Sequence, residues 1–249
     1  MTYKYLVPNG FTAVSMLCGF ASILSAAQKT PEGFESAAWL IALGVLLDKL
    51  DGASARLLDV CSDFGVEFDS FADLVVFGLA PASLYYFLME HMAYTSFWFN
   101  FGFASIYVVC TATRLARFNV STDIAPKNLF VGLPTTLSGA ILSTGYLSVV
   151  EYLGRPLEGG DAVYVTGVLV CFAFLMISPF YLPKLQKYEN RPFVNFFQFS
   201  NVFICYIVTP MRIYPQYLWA CATLYLIVGF GSQLVKKLRG PTETPAQAH

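Results

Sequence analysis

Charge is scarce in this sequence. Asp, Glu, Lys and Arg make up 12% of its 249 residues, while apolar residues make up 56%. An ordinary soluble domain carries about twice that charged share, and a chain of this size has too little interior to hide so much apolar surface from water. Composition therefore excludes a soluble globular domain and intrinsic disorder. A surplus of positive charge is also lacking: the net charge of -1 excludes a nucleic-acid binder that works by bulk attraction. Histidine is nearly absent, with 2 residues, and the 6 cysteines (Cys18, Cys61, Cys110, Cys171, Cys205, Cys221) form no CxxC pair or metal-ligand spacing. The cysteines read as small buried hydrophobes, not as a disulfide framework. No linker or composition shift marks a second domain.

Long apolar runs take the place of these missing features. They lie near 10–28, 36–57, 65–89, 95–116, 131–151, 161–183, 194–211 and 214–235. A bilayer span needs about 20 mostly apolar residues, so the expected fold is all-α: a polytopic helical bundle with about eight spans. Residues 1–238 form the transmembrane domain and 239–249 a disordered cytoplasmic tail. With the N-terminus in the cytoplasm, Lys29, Arg155 and Arg212 fall outside. The other 12 of the 15 basic residues, among them Lys127, Lys184, Lys187 and Arg191, fall inside. That asymmetry orients the bundle.

One stretch breaks the membrane pattern. Within DKLDGASARLLDVCSDFGVEFDSFAD (48–73), Asp48, Asp51, Asp69 and Asp73 sit in or at the edges of the second and third runs. Each carboxylate in mid-bilayer costs about 2.5–3.5 kcal/mol on insertion scales, so the group demands compensation. Asp48 and Asp51 are three apart, and Asp69 and Asp73 four apart, so each pair shares a helix face. A turn near Leu58–Phe64 folds the two faces together below the cytoplasmic surface. Hard oxygen donors without His or Cys suit Mg²⁺ or Mn²⁺, and two such ions could clamp a phosphoryl group. Gly52 and Ala55 are small beside the carboxylates, and Arg56 offers a forked donor to phosphate. The residues alone leave open a cation pathway and a purely structural role.

The string Asp48-x2-Asp51-Gly52-x2-Ala55-Arg56-x8-Gly65-x3-Asp69-x3-Asp73 resembles the signature of the CDP-alcohol phosphatidyltransferases at every fixed position. The resemblance implies a six-helix core, a homodimer, a site facing the cytoplasm in the cell (inner) membrane, and two divalent ions. It implies Asp48, Asp51, Asp69 and Asp73 as metal ligands and Asp73 as general base. Gly52, Ala55, Arg56 and Gly65 would contact the CDP moiety. Further segments are similar to the branch of that family that joins CDP-diacylglycerol to L-serine. They are Pro8-Asn9-Gly10-Phe11-Thr12, Leu17-Cys18-Gly19-Phe20, Phe68-Asp69-Ser70-Phe71-Ala72-Asp73, Arg114-Leu115-Ala116-Arg117-Phe118-Asn119, Gly132-Leu133-Pro134-Thr135 and Pro179-Phe180-Tyr181. Thr136, Val66 and Phe68 depart from that branch. Glycerol 3-phosphate, an inositol compound and choline stay open as acceptors.

Two polar groups flank the signature. Asn9 and Thr12 open the first run and either cap its helix or touch the cytidine. Arg114, Arg117 and Asn119 end the fourth run; they bind the lipid phosphate or the acceptor carboxylate, or anchor the helix at the headgroups. Ser70 is expected to bond back to its own helix.

Overall fold

Turn chemistry cuts the apolar runs into helices. The computed structural model describes residues 5–60, 62–93, 95–121, 129–183 and 192–238. Cys61, Lys127, Lys184, Lys187, Arg191 and the expected tail 239–249 lie outside the described residues. Helix α1 (Leu6–Ala26) leads through a short turn to Thr30, which N-caps α2 (Pro31–Leu58) by accepting from Gly33 N–H at 3.0 Å. Pro31 fits the first turn, where its missing N–H costs nothing. Asp59 closes α2 in the left-handed conformation, φ 52°. Ser62 opens α3 (Asp63–Asp73) by accepting from Gly65 N–H at 3.1 Å.

Helix α3 runs without a break through a π-helical turn, Leu74–Leu79, into α4 (Ala80–His91). Next come α5 (Phe97–Ser121), strand β1 (Leu129–Val131), α6 (Thr135–Leu153) and α7 (Ala162–Ile177). Strand β2 (Tyr181–Pro183), α8 (Pro192–Met211) and α9 (Pro215–Leu238) complete the order. If α3, the π turn and α4 are taken as one segment, the helices follow the eight apolar runs. The strands were not expected: β1 and β2 pair antiparallel, with Phe130 opposite Leu182.

The π turn is the hub of the core. Val76 and Phe77 are fully buried in it, and α1, α2, α5 and α6 all pack against it. Glycines permit that approach: a Cβ on Gly44 would come 2.4 Å from Val76 Cγ1, and one on Gly139 would come 2.7 Å from Phe77 Cδ1. A π turn skips the usual i to i−4 bond, and such turns often sit beside functional sites. Here the buried Tyr107 hydroxyl donates to the Phe77 carbonyl at 3.1 Å.

The interior is polar in places and the exterior apolar. Ser15 donates to the Gly44 carbonyl at 3.2 Å and Ser22 to that of Ala37 at 2.9 Å, stitching α1 to α2. Leu17, Phe20 and Leu24 of α1 face outward. Small hydroxyls inside and large hydrocarbons outside suit a lipid solvent. Among the described residues, three segments are long and apolar enough to cross a membrane: Leu6–Ala26, Asp63–His91 and Gly159–Ile177. The described cysteines are free. Two ion pairs mark the end of the bundle away from the aspartates: Lys29–Glu90 and Arg155–Asp161, each at 2.9 Å. His91, exposed at that end, meets Phe34 edge-on at 5.5 Å.

Candidate active site

Helices α2 and α3 meet at their polar ends. Oxygens of Asp48, Asp51 and Asp69 all lie within 4.8 Å of one another. The i, i+3 spacing on α2 and the tight turn into α3 produce this closure, as the sequence predicts. Lys49 Nζ lies 3.3 Å from Asp48, but its side chain is 64% exposed and so screened by solvent. Lys49 thus offsets little of the mutual repulsion of three close carboxylates, and their hard oxygen donors form a group that could hold a divalent cation.

Asp51 is the most firmly held. It is buried, and each of its oxygens accepts one hydrogen bond. Gly52 N–H donates to Oδ1 at 2.5 Å, and the buried Thr12 hydroxyl donates to Oδ2 at 2.8 Å. The Pro8 carbonyl, at 3.2 Å, is the alternative acceptor for that hydroxyl. Thr12 therefore supports a carboxylate directly, a role its position at the start of α1 did not disclose. Asn9 sits beside the signature glycine of α3: its Oδ1 is 3.6 Å from where a Cβ on Gly65 would stand. Arg56 is exposed and folds over Gly52, with Nη1 3.3 Å from an ideal Cβ there. Ala55, half-buried, precedes it.

Asp73 lies one helical turn beyond Asp69 and has a different partner. Thr135 Oγ1 donates to its Oδ2 at 3.2 Å. Arg114, 6% exposed, donates from Nη1 to the same Thr135 oxygen at 3.3 Å, and its guanidinium lies 5.2 Å from the Phe118 ring centroid. The sequence places Thr135 in a family-like segment without giving it a role at the site. The Gly132-Pro134 pair before an apolar run signals a turn into a helix, but nothing local places that turn against a residue 62 positions earlier.

The three polar residues that end α5 diverge. Arg114 reaches the site through Thr135. Arg117 donates to the carbonyls of Met176 and Ile177, at 3.1 and 3.0 Å, and so caps the C-terminus of α7. Asn119 Nδ2 donates to Ser70 Oγ at 2.9 Å, which ties α5 to α3 between Asp69 and Asp73. Ser70 also bonds back to the Val66 carbonyl at 3.1 Å.

These features define a helical membrane protein with a carboxylate centre at one end of its bundle. The chain belongs to the CDP-alcohol phosphatidyltransferase family, which it matches over residues 5–182. It is thus a transferase of phospholipid synthesis. Its relatives include three proteins named CDP-diacylglycerol–serine O-phosphatidyltransferase. That of Helicobacter pylori (strain J99) is 36% identical over 188 residues, covering 74% of each chain. That of Bacillus subtilis is 32% identical over 73% of this chain and 92% of its own. That of Methanocaldococcus jannaschii is 31% identical over 81% of this chain and 84% of its own.

Proposed function

We propose that this protein transfers the phosphatidyl group of CDP-diacylglycerol to the hydroxyl of L-serine, giving phosphatidylserine and CMP. The closure of the Asp48, Asp51 and Asp69 oxygens within 4.8 Å, with Asp73 next along α3, carries the reading. The names of the relatives favour serine among the acceptors.

Asp48, Asp51 and Asp69, with Asp73, would hold two Mg²⁺ or Mn²⁺ ions. Bound there, divalent ions would polarise the phosphoryl oxygens and offset the charge of departing CMP. Gly52 leaves room for the pyrophosphate to approach the α2 backbone. Arg56 supplies a forked donor to it, and Ala55, Gly65, Asn9 and Thr12 border the space for the nucleotide. Asp73 takes the proton of the serine hydroxyl. The freed oxygen attacks the phosphorus that carries the diacylglycerol, and the bond from that phosphorus to the CMP oxygen breaks. Arg114 faces the acceptor carboxylate or the lipid phosphate from beside Asp73. Arg117 and Asn119 serve this site by holding α7 and α3 in place.

The assembly in this reading is a homodimer in the cell membrane. It has about eight spans per chain, a six-helix core and a catalytic end facing the cytoplasm. The test is CMP release by purified protein from CDP-diacylglycerol, with serine, glycerol 3-phosphate, inositol, inositol phosphate or choline. Release with serine that stops on EDTA and returns with Mg²⁺ or Mn²⁺ is expected. Release with another alcohol alone would replace the acceptor and keep the chemistry. Cation flux without CMP would overturn the reading.

A further inference from the structure

Thr135 has one hydroxyl hydrogen, and its two neighbours decide where it goes. Arg114 Nη1 can only donate, and it lies 3.3 Å from Thr135 Oγ1. Thr135 therefore accepts from Arg114 and gives its own hydrogen to Asp73 Oδ2, 3.2 Å away. Thr135 is fully buried and Arg114 nearly so, so water competes little for either bond. The ion pairs among the described residues do not include Arg114 with Asp73. The threonine stands between cation and carboxylate and delivers the positive charge as an oriented dipole.

The fold spends several devices on placing that hydroxyl. Thr135 is the first residue of α6, entered through Pro134. Gly132 adopts φ +73°, and a Cβ there would meet the Met176 carbonyl oxygen at 2.3 Å. Leu133 N–H donates to the Leu175 carbonyl at 3.0 Å. Arg117 ties α5 to the same corner through Met176 and Ile177. The start of α6 is thereby seated on the end of α7 and fixed relative to α5.

We propose that Thr135 is a positioning residue of the transfer reaction. It holds Oδ2 of Asp73 so that Oδ1 is presented to the acceptor hydroxyl. The assignment rests on Asp73 being the base. Thr135 exchanges no proton in the step: the acceptor proton goes to Asp73, the new oxygen–phosphorus bond forms, and CMP leaves with the electrons of the broken bond.

Two measurements on full-length protein in detergent test this. The first is steady-state CMP release with the acceptor that the wild type uses. Thr135→Val keeps the side-chain shape and removes the hydrogen. It is expected to lower kcat roughly ten- to hundredfold, the range for a lost hydrogen bond to a charged group, with KM for CDP-diacylglycerol unchanged. Thr135→Ser is expected to restore most of kcat. Wild-type kcat in Thr135→Val, or serine as poor as valine, would overturn the proposal. The second is the Tm of wild type, Thr135→Val, Asp73→Ala and the double variant. The Tm loss from Thr135→Val should shrink once Asp73 is gone; additive losses would overturn the contact. This cycle needs no turnover, so an inactive wild type would sink the functional reading while the Thr135–Asp73 bond is still decided.

Discussion

Thr12 and Asp51, 39 residues apart in sequence, are joined by a 2.8 Å hydrogen bond from the threonine hydroxyl to Oδ2. The bond links α1 to the carboxylate cluster on α2. It consumes one lone pair of Asp51, as Gly52 N–H does on Oδ1, and orients what remains toward Asp48 and Asp69. Thr12→Val should leave that oxygen buried with no donor. A loss of about 1–3 kcal/mol is expected, read as a lower Tm and as a higher Mn²⁺ concentration for half-maximal CMP release. Thr12→Ser should behave as wild type. An unchanged metal requirement in the valine variant would show that Thr12 does not orient the cluster.

Asp73→Asn preserves shape and an oxygen donor while abolishing the base. CMP release should fall by about 10²–10⁴-fold, the usual contribution of a positioned general base. Metal-dependent binding of CDP-diacylglycerol, followed by isotope-labelled lipid, should persist. Full activity would remove Asp73 from the proton transfer.

Arg56 is exposed and rests against Gly52, with no buried contact to lose. Arg56→Ala should therefore leave Tm unchanged and raise KM for CDP-diacylglycerol, since a forked guanidinium donor to phosphate is gone. An unchanged KM would place the diphosphate elsewhere.

Gly132 combines a left-handed backbone with a close backbone neighbour. Its φ of +73° and the 2.3 Å approach of the Met176 carbonyl oxygen leave no room for a methyl group. Gly132→Ala should cost more than about 2 kcal/mol, combining left-handed strain with a backbone collision. Extraction into detergent followed by size-exclusion chromatography and thermal unfolding reads the effect. Gly167→Ala on α7 is the control: its Cβ points into open space, and alanine at a helix interior should gain up to about 1 kcal/mol. Equal losses at both positions would refute the role of the turn.

The helices were legible because apolar length and turn residues are local properties. Thr30-Pro31 and Ser62 start α2 and α3 through contacts three residues long, and Gly154, φ +61°, ends α6. The cluster was legible for the same reason: i, i+3 and i, i+4 spacing puts Asp48 with Asp51 and Asp69 with Asp73 on helix faces, and one tight turn brings the faces together. The β1–β2 pairing was not, since three-residue strands 50 positions apart carry no periodic signal. Nor was the division of labour among Arg114, Arg117 and Asn119. Three similar polar residues on one helix end went to Thr135, to the end of α7 and to Ser70.

By itself the sequence determined the membrane class, the run of helices and which carboxylates share a face, because hydrophobic length and helical period act within a few turns. Tertiary structure alone decided which neighbours hold those carboxylates. Thr12 reaches Asp51 from another helix, and Thr135 reaches Asp73 from the start of α6. Such bonds depend on how close two helix backbones can come. That closeness is set by Gly44 and Gly139 against the π turn and by Gly132 against α7, through packing between residues far apart in the chain.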